Sequence, residues 1–161
     1  MFSNYFSPVS KDILAFKETL NQNQIGFNLD CYSGAEFPDI NNIDIALIVV
    51  PEIRGSVSLV ESSLYSDCRK SFFSLFEGNW KLRIADFGNL KDGDDLKDTY
   101  FALNDVVSHL LSQSVFPLVL GGSQDLVYPI YQAYESFTKG INLLCVDSRF
   151  DLIDAEALSI N

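Results

Sequence analysis

The residues best suited to chemistry lie in "LLCVDSRFDL", 143–152, where an apolar run ends in Asp147 and Asp151 with Arg149 midway between them. Two carboxylates at the end of a buried strand commonly hold a divalent cation through their oxygens. Arg149 works against that use, because a guanidinium has no lone pair to donate and stays protonated at any physiological pH. Residues at i, i+2 and i+4 of an extended strand share a face, so Asp147, Arg149 and Asp151 project together if the strand runs through the motif, and still converge on one small space if it bends after Asp147. At an effective dielectric near 20, two unit charges ~4 Å apart interact by about 4 kcal/mol. An arginine between two aspartates therefore neutralises the pair and repels an incoming ion. The expectation is that Arg149 stands in for a metal, bridging the acids by charge-assisted hydrogen bonds. Two plainer readings stay open: Asp147 only braces the following loop, or Arg149 points to solvent.

A second polar group closes another apolar run, "FPLVLGGSQD", with Gly121, Gly122, Ser123, Gln124 and Asp125. The glycines permit a tight strand-to-helix turn. A helix N-terminus after them could cradle phosphate, but the G-x-G-x-x-G and G-K-[ST] patterns are absent and Asp125 would repel an anion. Gln124 can hydrogen-bond a carboxylate through its amide without being a strong metal ligand. The chain has one histidine, His109, so a zinc site or H-E-x-x-H helix needing two imidazoles is excluded within it. No Ser-His or Cys-His pair is indicated at the strand ends.

Position depends on the elements that carry these groups. "IDIALIVVP", 43–51, is a β-branched run expected of a strand buried on both faces. "KLRIADFGNL" reads as a strand ending near Asp86, and "FPLVLGG" and "INLLCVDS" as two more. Helices are expected between them. "SPVSKDILAFKETLNQ" should open with Ser7 as N-cap and Pro8 at the first helical position. Gly55 and Ser56 should open a second helix, with Leu64, Cys68 and Phe72 on one face. Leu96, Tyr100, Leu103, Val107 and Leu110 mark a third, with His109 off the stripe, and "SQDLVYPIYQAYESF" a fourth. "NLDCYSGAEFPDINN" reads as a surface connection and "KDGDDLKD" as a solvated acidic turn lacking the spacing of a calcium loop. Strand and helix alternating in this way predict an α/β domain with a mainly parallel sheet and helices on both faces. Function in such a sheet gathers at the carboxyl ends of the strands: Pro51–Gly55, Asp86–Asn89, Gly121–Asp125 and Asp147–Asp151.

Bulk properties bound the partners. The 161 residues are the size of one domain, 47% apolar and 20% charged, which argues against disorder. A net charge of −11 speaks against nucleic acid or an anionic membrane as partner. No apolar run reaches the roughly 20 residues of a membrane span, and the N-terminus lacks the basic start of a signal peptide. Three scattered cysteines, Cys31, Cys68 and Cys145, fit reduced thiols and a cytoplasmic location.

Taken together, "PLVLGGSQD" and "INLLCVDSRFD" resemble the ureohydrolases, a family of arginases, agmatinases and formiminoglutamases. There a strand ending L-G-G-D-H-S supplies one histidine to a binuclear manganese site, and the next, ending D-A-H-x-D, supplies two aspartates and a second histidine. "IALIVVPEIRGS" resembles the family's first strand and substrate-side loop, and "DFGNL" its D-x-G-D-like turn. The resemblance covers about residues 43–152, the family-like core, and leaves residues 1–42 as an N-terminal helix and loop of a single domain spanning 1–161. It implies a three-layer α/β/α arginase-like fold of which the N-terminal half is present, since a later S-x-D-x-D segment lies beyond Asn161. It also implies departures. Gln124 and Arg149 stand where the family has histidines, Ser123 replaces the acid before the first, and Asp147 and Asp151 are the ligands retained.

The resemblance therefore implies a degenerate site and a pseudoenzyme, with no cofactor in this chain and a binding, assembly or regulatory role. The alternative is a manganese-dependent hydrolase of a linear amidine or guanidino C–N bond, completed by further chain and using Asp147, Asp151 and Asp125. A nucleotide binder outside the family is the third possibility. Expected partners are a second copy or a complementary C-terminal half, and a small guanidino or amidino ligand. A parallel sheet with an open edge should also self-associate.

Overall fold

The computed structural model describes residues 2–56, 62–137 and 140–147. Its strands are β1 (Phe6–Ser7), β2 (Asp30–Cys31), β3 (Ile45–Val50), β4 (Ile84–Leu90) and β5 (Phe116–Gly121), and its helices α1 (Lys11–Lys17), α2 (Ile25–Asn28), α3 (Ser62–Ser74), α4 (Leu96–Ser112) and α5 (Val127–Phe137). The sheet order is β1-β4-β3-β5, with β2 also paired to β4. β3 runs parallel to β4 and β5, in register from Ile45 opposite Phe116 to Val50 opposite Gly121, and only β1 is antiparallel. The expected three-layer α/β/α arrangement with a mainly parallel sheet is what the chain adopts.

The alternation of side chains along each strand divides the core in two. Ala46, Ile48 and Val50 of β3, with Ala85 and Phe87 of β4, pack with the fully buried Leu103, Val106, Val107 and Leu110 of α4. Burying one such aliphatic side chain contributes about 1.5–3 kcal/mol, so this stripe is enough to hold α4 against the sheet. Leu47 faces the other way and joins Val9, Ile13, Leu29 and Phe73 beneath α1 and α3. Asp95 caps α4, accepting from the Asp98 N–H at 3.0 Å, while the Asp98 carboxylate accepts from the Asp95 N–H at 3.2 Å. The acidic turn thus holds a reciprocal capping box as well as facing solvent.

Several expectations need correction. Ser7 does not cap α1, because its backbone is paired with Asn89 in the sheet, and Ser10 holds the cap position instead. Gly55 and Ser56 lie in a turn, with the Ser56 N–H donating to the Ile53 carbonyl at 2.9 Å, and the described part of α3 begins at Ser62. Its buried stripe is Tyr65, Arg69 and Phe73, one residue on from the expected Leu64, Cys68 and Phe72. The 28–42 connection contains β2 and sends Phe37 into an aromatic cluster, 4.7 Å from Phe87 by ring centroids. β4 continues past Asp86 to Leu90. Residues 141–147 are not a strand: Leu143, Leu144 and Val146 are 68%, 86% and 91% exposed. An apolar run becomes a buried strand only where a neighbouring strand and covering layers receive it, and the described residues provide none there. No described helix is long and apolar enough to cross a membrane.

Candidate functional site

The carboxyl ends of β3 and β5 meet and an acid follows each of them, while β4 carries a third acid within the strand itself. β3 leads through Pro51 to Glu52, which is 2% exposed. The Glu52 carboxylate accepts from Arg54 three times over: from the backbone N–H at 2.8 Å, from Nε at 3.0 Å and from Nη2 at 2.5 Å. Those bonds hold the Glu52 carboxyl down at about 2, against the opposing pull of burial. Arg54 then reaches across to the loop before α4, donating to the carbonyls of Gly93 and Asp94 at 3.2 Å and to the Thr99 hydroxyl at 3.1 Å. Glu52 is therefore occupied by a cation from two residues along the same chain.

β4 repeats the arrangement from a greater sequence distance. Asp86 is fully buried on the α3 face, and Arg69, 3% exposed, descends from α3 to meet it. Arg69 Nε donates to Asp86 Oδ2 at 2.6 Å and Nη2 to Oδ1 at 3.0 Å, a bidentate fork. Its remaining donors reach the Asn89 side-chain oxygen at 3.0 Å and the Gly88 carbonyl at 3.1 Å. Gly88 itself sits at φ +86°, and a Cβ there would lie 2.1 Å from the Ser7 carbonyl oxygen, so only glycine fits this irregular point of β4. Burial pushes the Asp86 carboxyl up, and Arg69 and the Gly88 N–H pull against it.

β5 ends in the glycine pair. A Cβ on Gly122 would fall 2.0 Å from the Glu52 carbonyl oxygen, which places the two strand ends in direct apposition. Ser123 is buried and fastens them, its N–H and hydroxyl both meeting that carbonyl, at 2.8 and 3.2 Å. Gln124, exposed in the turn that follows, donates from Nε2 to Asp147 Oδ2 at 3.3 Å. Asp125 turns elsewhere: its Oδ2 accepts from the Tyr100 hydroxyl, and its Oδ1 is buried with no hydrogen-bond partner among the described residues. Burial and the Asp125 contact push the Tyr100 hydroxyl's pKa well up. Tyr65, on the buried face of α3, likewise has a hydroxyl without a described hydrogen-bond partner, close to Gly122.

The structure thus brings Gln124 to Asp147, as the sequence suggested, and gives Gly121, Gly122 and Ser123 the work of joining β5 to β3. Arg149 and Asp151 lie outside the described residues. His109 is exposed, stacked on Phe2 at 4.7 Å between ring centroids, as its place off the helical stripe implies. The sequence reading missed the two arginine forks. For one of them the signal was present: an arginine inside the buried stripe of α3 and an aspartate inside an apolar strand each need a buried partner of opposite charge.

Whether these groups fit a divalent metal follows from the donors. Among the described residues no three of His, Cys, Asp and Glu converge to hold an ion. Glu52 and Asp86 already face guanidinium groups, and the atom Gln124 turns toward Asp147 is an N–H donor. This donor set does not fit a binuclear manganese centre.

Residues 54–160 match the model of the Arginase family. β3 lies just before the matched segment. Two solved structures share the fold: a Trypanosoma cruzi formiminoglutamase with Mn2+2, 21% identical over 61% of this chain with TM-score 0.52, and an asparagine-to-histidine variant of that enzyme, also with Mn2+2, 19% identical over 75% with TM-score 0.53. The chain covers 40% and 38% of their lengths. No curated protein matches it.

Proposed function

The chain belongs to the arginase family, and within that family we propose that it is a non-catalytic member whose acids are held by its own arginines and amides, leaving a binding and assembly role. The observation that carries this reading is the Gln124 amide donating to Asp147 at 3.3 Å. A histidine in that place would offer a lone pair, whereas an amide N–H offers a proton to the acid and competes with any cation for it. Glu52–Arg54, just past β3, and Asp86–Arg69, within β4, support the same principle on the neighbouring strands. In the sequence, Arg149 stands where the family resemblance places a histidine ligand, and a guanidinium offers a permanent charge there instead of a lone pair. Hydrolysis of an amidine or guanidino carbon draws its nucleophile from metal-bound water, and the donors among the described residues do not reproduce that seat.

The assembly role is supported by the exposed run Leu143, Leu144 and Val146 and by β5, whose second edge has no partner strand among the described residues. Apolar side chains beside an open sheet edge favour association with another polypeptide, in this reading a second copy. Light scattering of the purified chain should give a mass above the monomer that falls in Leu144→Lys. The catalytic half of the proposal is tested by assaying the full-length protein with manganese on arginine, agmatine and formiminoglutamate. No turnover is expected. Measurable turnover that chelator abolishes would replace this reading with that of a manganese hydrolase.

A further inference from the structure

A cavity of about 890 Å³ lies at the amino ends of β3 and β4, opposite the carboxyl-end site. Its floor is apolar, formed by Ile25, Leu29, Ile43, Leu75, Leu82 and Ile84. Its wall is the loop between α3 and β4, which carries the chain's one tryptophan, Trp80, and Phe76, 74% and 72% exposed. The loop is pinned at both ends. At one, the Ile25 N–H donates to the Leu75 carbonyl at 2.8 Å and the Glu77 N–H to the Asn23 carbonyl at 2.7 Å. At the other, the Arg83 N–H donates to Asp44 Oδ2 at 2.8 Å and the Asp44 N–H returns to the Arg83 carbonyl at the same distance. The groove is therefore preformed, and its volume is that of a site for a small organic ligand.

Charge selects among such ligands. The rim carries Asp30, Asp39 and Glu77 against Lys81 and Arg83. The Arg83 guanidinium is committed to Asp44, at 3.1 and 3.3 Å. Asp39 keeps its charge while its oxygens accept from Asn41 and Asn42. Three carboxylates thus face one uncommitted base, Lys81, in a chain whose net charge is −11. An anion would be repelled, and a neutral apolar molecule would leave the field unused. A cation gains from the rim and from the face of Trp80, which attracts positive charge through its quadrupole.

We propose that this groove binds a small organic cation with an aromatic or aliphatic body, such as an arylalkylamine, the body on the apolar floor and the ammonium between Asp30, Glu77 and Trp80. This site is independent of the carboxyl-end site and stands or falls without it. Because Trp80 is the chain's one tryptophan, its fluorescence excited at the red edge reports occupancy directly. The probes are 4-phenylbutylammonium, 4-phenylbutanol and 4-phenylbutyrate, which share one body and differ in charge. The ammonium should give a saturable change, with at least about tenfold weaker binding of the alcohol and weaker still of the carboxylate. Asp30→Asn with Glu77→Gln should bring the ammonium to the level of the alcohol, while Gln124→Ala at the other end of the sheet should change nothing. If the double variant fails to fold, wild-type titrations in rising salt replace it, and only the ammonium should weaken. Equal affinity for the three probes, a charge preference that survives the variant or the salt, or no response to the ammonium at millimolar concentration would overturn the proposal.

Discussion

Replacing Arg69 by methionine should unfold a large share of this protein's stability. Arg69 is 3% exposed and Asp86 fully buried, and four donor contacts from the one guanidinium reach Asp86, Gly88 and Asn89. Methionine keeps the apolar length that packs beneath α3 but leaves Asp86 charged in the interior. Breaking a buried pair from one side costs about 3–5 kcal/mol, because the remaining charge keeps its desolvation penalty without its partner. For a domain whose stability is about 5–15 kcal/mol, that is a large fraction. Urea denaturation at pH 7.5 followed by circular dichroism measures it. The acid offers a second readout. Burial already raises the Asp86 carboxyl, and loss of Arg69 raises it further. The folded variant then takes up a proton that the unfolded chain does not, so its stability rises as pH falls toward the unfolded value and is lost as pH climbs through the folded one. The gap between variant and wild type should accordingly narrow from pH 8 to pH 5. Arg69→Met with Asp86→Leu should recover most of the loss, since no charge is then buried. A single variant within about 1 kcal/mol of wild type, or a double variant no better than the single, would refute the reasoning.

Glu52→Gln tests the other fork through pH. The Glu52 carboxyl is lowered from 4.5 to about 2, so its contribution is complete above pH 4.5 and disappears as pH falls toward 2. That span corresponds to about 3 kcal/mol, and water reaching the 40%-exposed Arg54 reduces the expected loss to about 2 kcal/mol at pH 7. The difference from wild type should vanish near pH 2 in denaturation midpoints; a constant difference across that range would contradict it. The cysteines give a reactivity prediction. Burial, reinforced by the Asp86 charge, pushes the Cys31 thiol up to about 12, whereas Cys145 is exposed. At pH 8, Cys31 should carry about a thousandfold less thiolate than an ordinary thiol and be alkylated by iodoacetamide long after Cys145, as peptide mass mapping would record.

Periodicity made the layers legible. The β-branched run of β3 and the 3.6-residue stripe of α4 each state one period clearly, and each forms the expected element. Where two registers of one period compete, the pattern is ambiguous. α3 offers apolar residues at 64, 68 and 72 and again at 65 and 73, and the face that is buried is the one containing Arg69, which Asp86 meets from beneath. "INLLCVDS" has the composition of a central strand, yet composition says nothing about the neighbour that a strand needs, and its described residues, 141–147, are irregular and mostly exposed. The Gln124 to Asp147 contact was legible in the sequence. The pairings were harder to read: Glu52 meets Arg54 through the turn after β3, and Arg69 reaches Asp86 across a helix-to-strand connection that no local spacing encodes.

The proposal that internal donors replace a metal at the carboxyl-end site is tested most directly by titrating manganese into the full-length protein and following the electron paramagnetic resonance signal of the free ion. No stoichiometric loss of free signal is expected from wild type at micromolar ion, and uptake is expected once Gln124→His is combined with Arg149→His. Tight, stoichiometric binding by the wild-type protein would contradict it.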